Sequence, residues 1–400
     1  MRNLILLREQ REFQGKLMQR LESIQFLRGL AAFAVLLFHI CTLSNDYSGG
    51  VFFAPFVSIG NAGVDLFFVI SGFVMVATTY EKFDVPSTAT RFAVHRLSRI
   101  YPPYWILSGA LLLYYIYNPA GVNSKQGGAD LAASFLLTPS PLLPLLPVAW
   151  TLMHEVLFYF VFFIAICFLP RKNLGRALAM WAAAVFLKIA TDWSDSGFKL
   201  NTLLLHPFNL EFISGALIGL LYKRRGPFSM RISTLFLSTG LVLFFAAGVF
   251  LQTSKDVDLN AAPLRVFLFG IPSLFLFAGC FSINFRRNGL QGILTRMGDY
   301  SYSLYLTHIL LIHLAYRLIT KKLNITLTFQ SNGVLALFLI FLCIFSGWMF
   351  FIFIEKSSCA IFLRFIENLL RVKGRILGDH SKSMNPNVRQ GQVGGKSGQR

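Results

Sequence analysis

The sequence predicts an all-α polytopic membrane protein, and three observations carry that prediction. First, 55% of its 400 residues are hydrophobic and only 14% charged, with a mean hydropathy of +0.59. A soluble domain of this size could not hide so much apolar surface. Second, hydrophobic runs recur near 24–42, 57–79, 101–117, 148–169, 177–192, 203–221, 232–251, 264–284, 300–319 and 333–355. Most have the ~17–25 residues that a helix needs to cross a bilayer, giving about ten transmembrane helices. Third, the positive charges alternate with the runs. With the N-terminus inside, the inner segments carry 28 Lys and Arg and the outer loops 7, which predicts that both termini are cytoplasmic.

The same placement disposes of a nucleic-acid partner, which the net charge of +19 would otherwise invite. The five cysteines (Cys41, Cys167, Cys280, Cys343 and Cys359) show no metal-ligand spacing and read as small apolar residues. Residues 1–23 are basic and polar, unlike a cleaved signal peptide, and form a cytoplasmic lead-in. A start at Met18 would leave every later feature intact. Residues 24–355 make the membrane domain, and within it TPSPLLPLLPVAW, ahead of the fourth run, suits a re-entrant or interfacial segment. Residues 356–377 read as a basic amphipathic helix on the inner leaflet, and the polar, Gly-rich tail 378–400 as disordered. The tail's VGGKSG is no P-loop, because Gln390 stands in place of the first glycine and no strand precedes it.

The first span, IQFLRGLAAFAVLLFHIC, holds the two most costly residues, Arg28 and His39. Eleven positions at about 100° each close to within ~20° of three turns, so both side chains share one face, about 16 Å apart along the axis. Ionisable groups at such depths are functional candidates. The second span places Asp65 near its outer start; it serves either the site or the helix dipole. The loop RFAVHRLSRIYPPYW concentrates Arg91, His95, Arg96 and Arg99, either as a positive-inside anchor or as an anion clamp. Arg96 and Arg99, three apart, point the same way and suit a phosphate. The fourth span, PVAWTLMHEVLFYF, aligns Thr151, Glu155 and Tyr159 on one face. Glu155 must find a partner or hold its proton there; His154 reads as interfacial. In the ninth span, GDYSYSLYLTHILLIHLAY, Ser301, Tyr305 and His308 share a stripe that either lines a pocket or glues helices together, while His313 reads as structural.

No GxSxG elbow, HExxH zinc motif or neighbouring Cys–His pair is present, and His206 is followed at the fifth position by Glu211, which breaks the HxxxxD pattern of soluble-type glycerolipid acyltransferases. What survives is a buried histidine as general base, with a carboxylate to orient it.

Five segments in order, LRGLAAFAVLLFH, GVDLFFVISGF, RLSRIYPPYW, WTLMHEVLFY and GDYSYSLYLTH, resemble the acyltransferase-3 family of membrane-bound acyltransferases. The likeness runs from about 24 to 355, nearly the whole folded chain. It implies helices surrounding a central pore, an acyl-CoA donor entering from the cytoplasm, and transfer to an acceptor hydroxyl on the outer side, usually of a sugar. His39 would then be the catalytic histidine and Arg28 a pore or donor-site residue. Arg96 and Arg99 match the family's RxxR, taken to meet the nucleotide phosphates, and Glu155 matches the glutamate of the fourth-span motif. The resemblance implies no bound cofactor or metal, with acyl-CoA as donor substrate. A bacterial inner-membrane location and a glycan or lipid-linked saccharide acceptor follow, with polysaccharide-assembly proteins as further partners. Some relatives carry a C-terminal SGNH-type domain that this chain lacks, which points toward stand-alone relatives that decorate exopolysaccharide or lipopolysaccharide. The short form and the IQFLRG opening are most like exopolysaccharide acetyltransferases.

These readings together expect Asp65, Tyr159, Ser301, Tyr305 and His308 to line a pocket with His39, Arg28 and Glu155. Either Glu155 or Asp65 would fix the imidazole tautomer. His39 would remove the hydroxyl proton or accept the acyl group transiently. The rival class is a carrier or flippase for a glycolipid, with Arg28, Asp65 and Glu155 as coupling charges; the internal repeats common in such proteins are not apparent.

Overall fold

A computed structural model describes residues 2–48, 58–85, 87–119, 122, 128–191, 200–254, 261–281, 283, 287–325 and 327–383. Among these residues there is no strand, and nine helices are long and apolar enough to cross a membrane. The third hydrophobic run lies in a further helix, α3 (Thr88–Tyr117), whose polar first half makes it less apolar than the nine. The side chains of residues 1–21 and 371–400 lie outside the described set, as does the tail beyond Ser383.

Helix α1 (Arg2–Ser48) runs unbroken from the basic lead-in through the first span. Its Leu27, Ala31, Val35 and Leu36, Ile40, Leu43 are buried in adjoining stripes. They pack against α2 (Gly63–Thr79) and, late in the chain, α10 (Gly289–Asp299), α11 (Ser301–Tyr316) and α12 (Phe329–Phe350). The remaining spans are α5 (Trp150–Phe168), α6 (Leu174–Thr191), α7 (Asn209–Arg225), α8 (Met230–Thr253) and α9 (Ala262–Cys280), the last with a π turn at Val266–Gly270. A Thr328–Ser331 capping box starts α12. A π turn at Phe351–Glu355 then joins it to α13 (Lys356–Ser383), which takes in the predicted amphipathic segment.

A close crossing joins α2 and α7, and a matching one, at Gly29 and Gly298, joins α1 and α10. A Cβ on Gly72 would lie 1.9 Å from the carbonyl oxygen of Phe212, and one on Gly215 1.9 Å from that of Val69. Each glycine thus admits the other helix's backbone, a small-residue contact suited to a membrane interior, where packing replaces hydrophobic drive.

The segment that leads into the proline-rich stretch folds back along α3. A short helix, α4 (Leu131–Leu136), begins on an Asp130 cap and is stopped by Leu137 in left-handed backbone. It sits beside Tyr101–Trp105 and not beyond Tyr117, a return of about 20 Å along α3. Tyr104 donates to Ser134 O at 2.5 Å, Trp105 Nε1 to Phe135 O at 2.9 Å and Tyr101 to Leu136 O at 2.9 Å. Irregular backbone at membrane depth needs such partners, since each unmade bond there costs several kcal/mol.

Candidate active site

The site is a cavity between α1, α2, α3, α5 and α11, open to its surroundings on one side. Its polar lining comes from every helix around it: Arg28, Ser71, Arg96 and Arg99, Thr151, Glu155 and Tyr159, and Ser301, Tyr302 and Tyr305. The predicted residues Arg28, Arg96, Arg99, Glu155, Tyr159, Ser301 and Tyr305 therefore meet in one place. The helical spacings explain it, because i, i+3, i+4 and i+7 stripes of four helices turn toward the same axis.

Arg28 Nη2 donates to Ser301 Oγ at 2.8 Å, and Nη1 reaches Gln25 Oε1 at 3.4 Å. Glu155 Oε1 accepts from Tyr159 at 2.5 Å and from Ser71 at 2.9 Å. Arg96 stands over the rings of Phe92 and Tyr159, 5.6 and 5.4 Å from their centroids, with Nη2 3.4 Å from Thr78 Oγ1. Its stem is thereby aimed by aromatic faces while its other nitrogens stay available. Arg99 and Arg28 feel two carboxylates, Glu155 and Glu355. Glu355, at the end of the last π turn, accepts a hydrogen bond from Ser303. Three guanidiniums and two carboxylates make a cavity with positive excess, fit for a polyanion.

His39 and His308 stand just past this lining. His308 Nε2 is 3.0 Å from His39 Nδ1, with ring centroids 4.9 Å apart. Each ring also folds back on its own helix: His39 Nδ1 lies 3.1 Å from Val35 O, and His308 Nδ1 3.1 Å from Leu304 O. Tyr305 connects the two levels. Its ring is 5.7 Å from His308, and its hydroxyl donates to Val148 O at 2.9 Å and meets Thr151 Oγ1 at 2.8 Å. His308 is buried, whereas His39 is half-buried.

The structure gives His39 a different companion from the expected carboxylates. Glu155 is held by Ser71 and Tyr159 in the cavity below. Asp65 does not line the cavity at all; its carboxylate is bound by Arg265, with Nη2–Oδ2 at 2.9 Å and Nε–Oδ1 at 3.4 Å. A lone carboxylate in an apolar span takes the cation that faces it, and α9 supplies one from 200 positions away.

Arg265 itself donates to Asn61 O and Oδ1 at 3.2 and 3.3 Å and is stacked between Trp150 and Phe208. Arg265 stands at the very start of the 264–284 run, and a lone cation there was the available signal of a buried role. His154, expected at an interface, is fully buried with its ring 4.6 Å from that of His206. Glu211 is buried nearby, beside Asp65 and against Gly270. His313 meets Tyr47 at 3.4 Å near the far end of α11. Ser71, Tyr302 and Glu355 were not singled out in the sequence; only Glu355, a carboxylate closing the last apolar run, carried a usable cue.

Fold and site together define a polytopic membrane protein with an arginine-rich, carboxylate-balanced cavity leading toward a histidine pair. The chain belongs to the acyltransferase-3 family of integral membrane acyltransferases: the family model described as "Acyltransferase domain" matches residues 21–354. It is 33% identical over 261 residues to exopolysaccharide production protein ExoZ of Rhizobium meliloti (strain 1021), covering 63% of this chain and 76% of that protein. It is 26% identical over 369 residues to acyltransferase MdmB of Streptomyces mycarofaciens, covering 84% and 91% of the two. No solved structure gives a significant match. The protein is a membrane acyltransferase.

Proposed function

We propose that the protein transfers an acetyl or similarly short acyl group from cytoplasmic acyl-CoA to a sugar hydroxyl of an exported or cell-surface glycan. The observation that carries this reading is the order of groups along the cavity: Arg96 and Arg99, then Arg28 with Ser301, then His39 beyond Tyr305. With the N-terminus inside, the nucleotide phosphates rest on Arg96 and Arg99, whose forked donors suit them. The pantetheine arm then runs outward past Arg28. The name of the Rhizobium relative supports a polysaccharide acceptor.

In this mechanism His39 takes the hydroxyl proton as the sugar oxygen attacks the thioester carbonyl. Arg28 or a backbone N–H offsets the charge that forms on the carbonyl oxygen. The carbon–sulfur bond then breaks, and the CoA thiolate recovers the proton from the imidazolium. Bacterial inner-membrane placement and contact with polysaccharide-assembly proteins belong to the same reading. The test is purified protein with labelled acetyl-CoA and candidate glycans. Label transfer that His39→Ala abolishes, with membrane insertion intact, is the expected result. Glycan movement without acylation would instead establish a carrier.

A further inference from the structure

The two histidines can share their hydrogens in only one neutral arrangement. Carbonyl oxygens only accept, so Leu304 O requires a hydrogen on Nδ1 of His308, and Val35 O requires one on Nδ1 of His39. His308 Nε2 is then bare and accepts from His39 Nδ1–H, which forks between it and Val35 O. The reverse assignment would set a lone pair against each carbonyl. His39 Nε2 is left with its lone pair and, among the described residues, no hydrogen-bond partner.

From this geometry we infer that His308 is the positioning residue of the site: together with Val35 O it holds His39 as the Nδ1–H tautomer, and it alone fixes the ring from across the helix interface, so that the proton-accepting atom is Nε2. The inference rests on the proposed role of His39 and deepens it. His308 fills the place expected of Glu155 or Asp65, but with a neutral acceptor. It holds the ring and stabilises the imidazolium by one hydrogen bond without adding a buried charge next to the thioester path. Losing the partner that orients a metal-bound histidine lowers activity by about 10–100-fold, and a loss of that order is expected for a base oriented in the same way. The Leu304 bond is itself an i−4 contact within α11, so the whole relay is set by how α11 is rotated against α1.

Two measurements test it. Solid-state NMR of histidine-labelled protein in bilayers reads the tautomer directly, without donor or acceptor. The expected result at neutral pH is a pyrrole-type Nδ1 and a pyridine-type Nε2 on His39, with the Nδ1–H signal shifted in His308→Ala, where Val35 O alone still accepts it; an Nε2–H tautomer in the parent protein overturns the inference. Acyl transfer with labelled acetyl-CoA is then compared among His308→Ala, His308→Gln and the parent. His308→Ala is expected to lower kcat by about 10–100-fold at unchanged KM for the donor. His308→Gln, whose side-chain oxygen can accept near the position of Nε2, should restore most of it. Unchanged kcat in His308→Ala, or equal loss in both variants with both folded, overturns the positioning role and leaves His39 as the base. Full activity in His39→Ala overturns the underlying reading instead.

Discussion

Arg28 Nη2 and Ser301 Oγ lie 2.8 Å apart, and this bond joins the first span to the ninth at the level where the cavity is most polar. Ser301 also donates to Gly298 O at 3.0 Å, so its oxygen is turned to receive the guanidinium. A cation inside the membrane domain is thus aimed by neutral groups, Ser301 and Gln25, and not by a carboxylate in direct contact. Arg28→Gln is expected to lower kcat/KM for transfer by about 100-fold or more, the size of effect seen when a charge-stabilising donor is lost. Ser301→Ala should cost about tenfold, or ~1.4 kcal/mol. Steady-state kinetics with labelled acetyl-CoA checks both; a rise in KM alone would place Arg28 in binding and not in the transition state.

Glu155 sets the opposite sign against the arginines. Replacing it by Gln removes one negative charge from the cavity proposed to receive an anionic donor. CoA should then bind about fivefold more tightly, ~1 kcal/mol at water-like screening, while turnover falls. Calorimetric titration of CoA in detergent at fixed salt reads the first effect. Weaker CoA binding in Glu155→Gln would show that Glu155 holds the donor through contacts and not through its charge.

The Asp65–Arg265 pair is a stability element. With side chains only 1% and 7% exposed, removal of either partner strands a charge. Asp65→Leu or Arg265→Met is expected to cost about 3–5 kcal/mol, and the double variant Asp65→Leu/Arg265→Met distinctly less than the sum. Thermal unfolding of the detergent-solubilised protein measures the three variants. Additive losses would mean that the pair contributes nothing as a pair.

Gly72→Ala and Gly215→Ala should each lower stability by about 1–3 kcal/mol through overpacking. Because the two crossings are reciprocal, the first substitution already spreads α2 from α7, and the second should cost less than it does alone. Unfolding midpoints of the two single variants and the double variant decide this.

Much of the architecture was readable because a bilayer constrains sequence strongly: length and apolarity alone located the spans, including Met230–Thr253 and Pro147–Phe168. Spacing along single helices likewise predicted which side chains turn to a common axis, as with Thr151, Glu155 and Tyr159. Partner choice across helices was not readable. Asp65 and His39 looked like candidates for one another because both are ionisable and of similar depth. Which of them meets Arg265 and which meets His308 depends on rotations about helix axes that no local pattern records. Glu355 escaped notice for a related reason, since only the π turn at Phe351–Glu355 carries it toward Ser303 and the arginines.

The layer made by Tyr305, Thr151 and Val148 has a consequence for the cell that houses the protein. The cavity lining ends there, with the histidine pair on the far side. A water-filled passage joining the two faces would drain the ion gradients on which the membrane's energy supply depends. Two direct hydrogen bonds close this layer, from Tyr305 to Val148 O and between Tyr305 and Thr151, and under the proposed function such a neutral clasp would have to part for a thioester and re-form behind it to keep the membrane sealed.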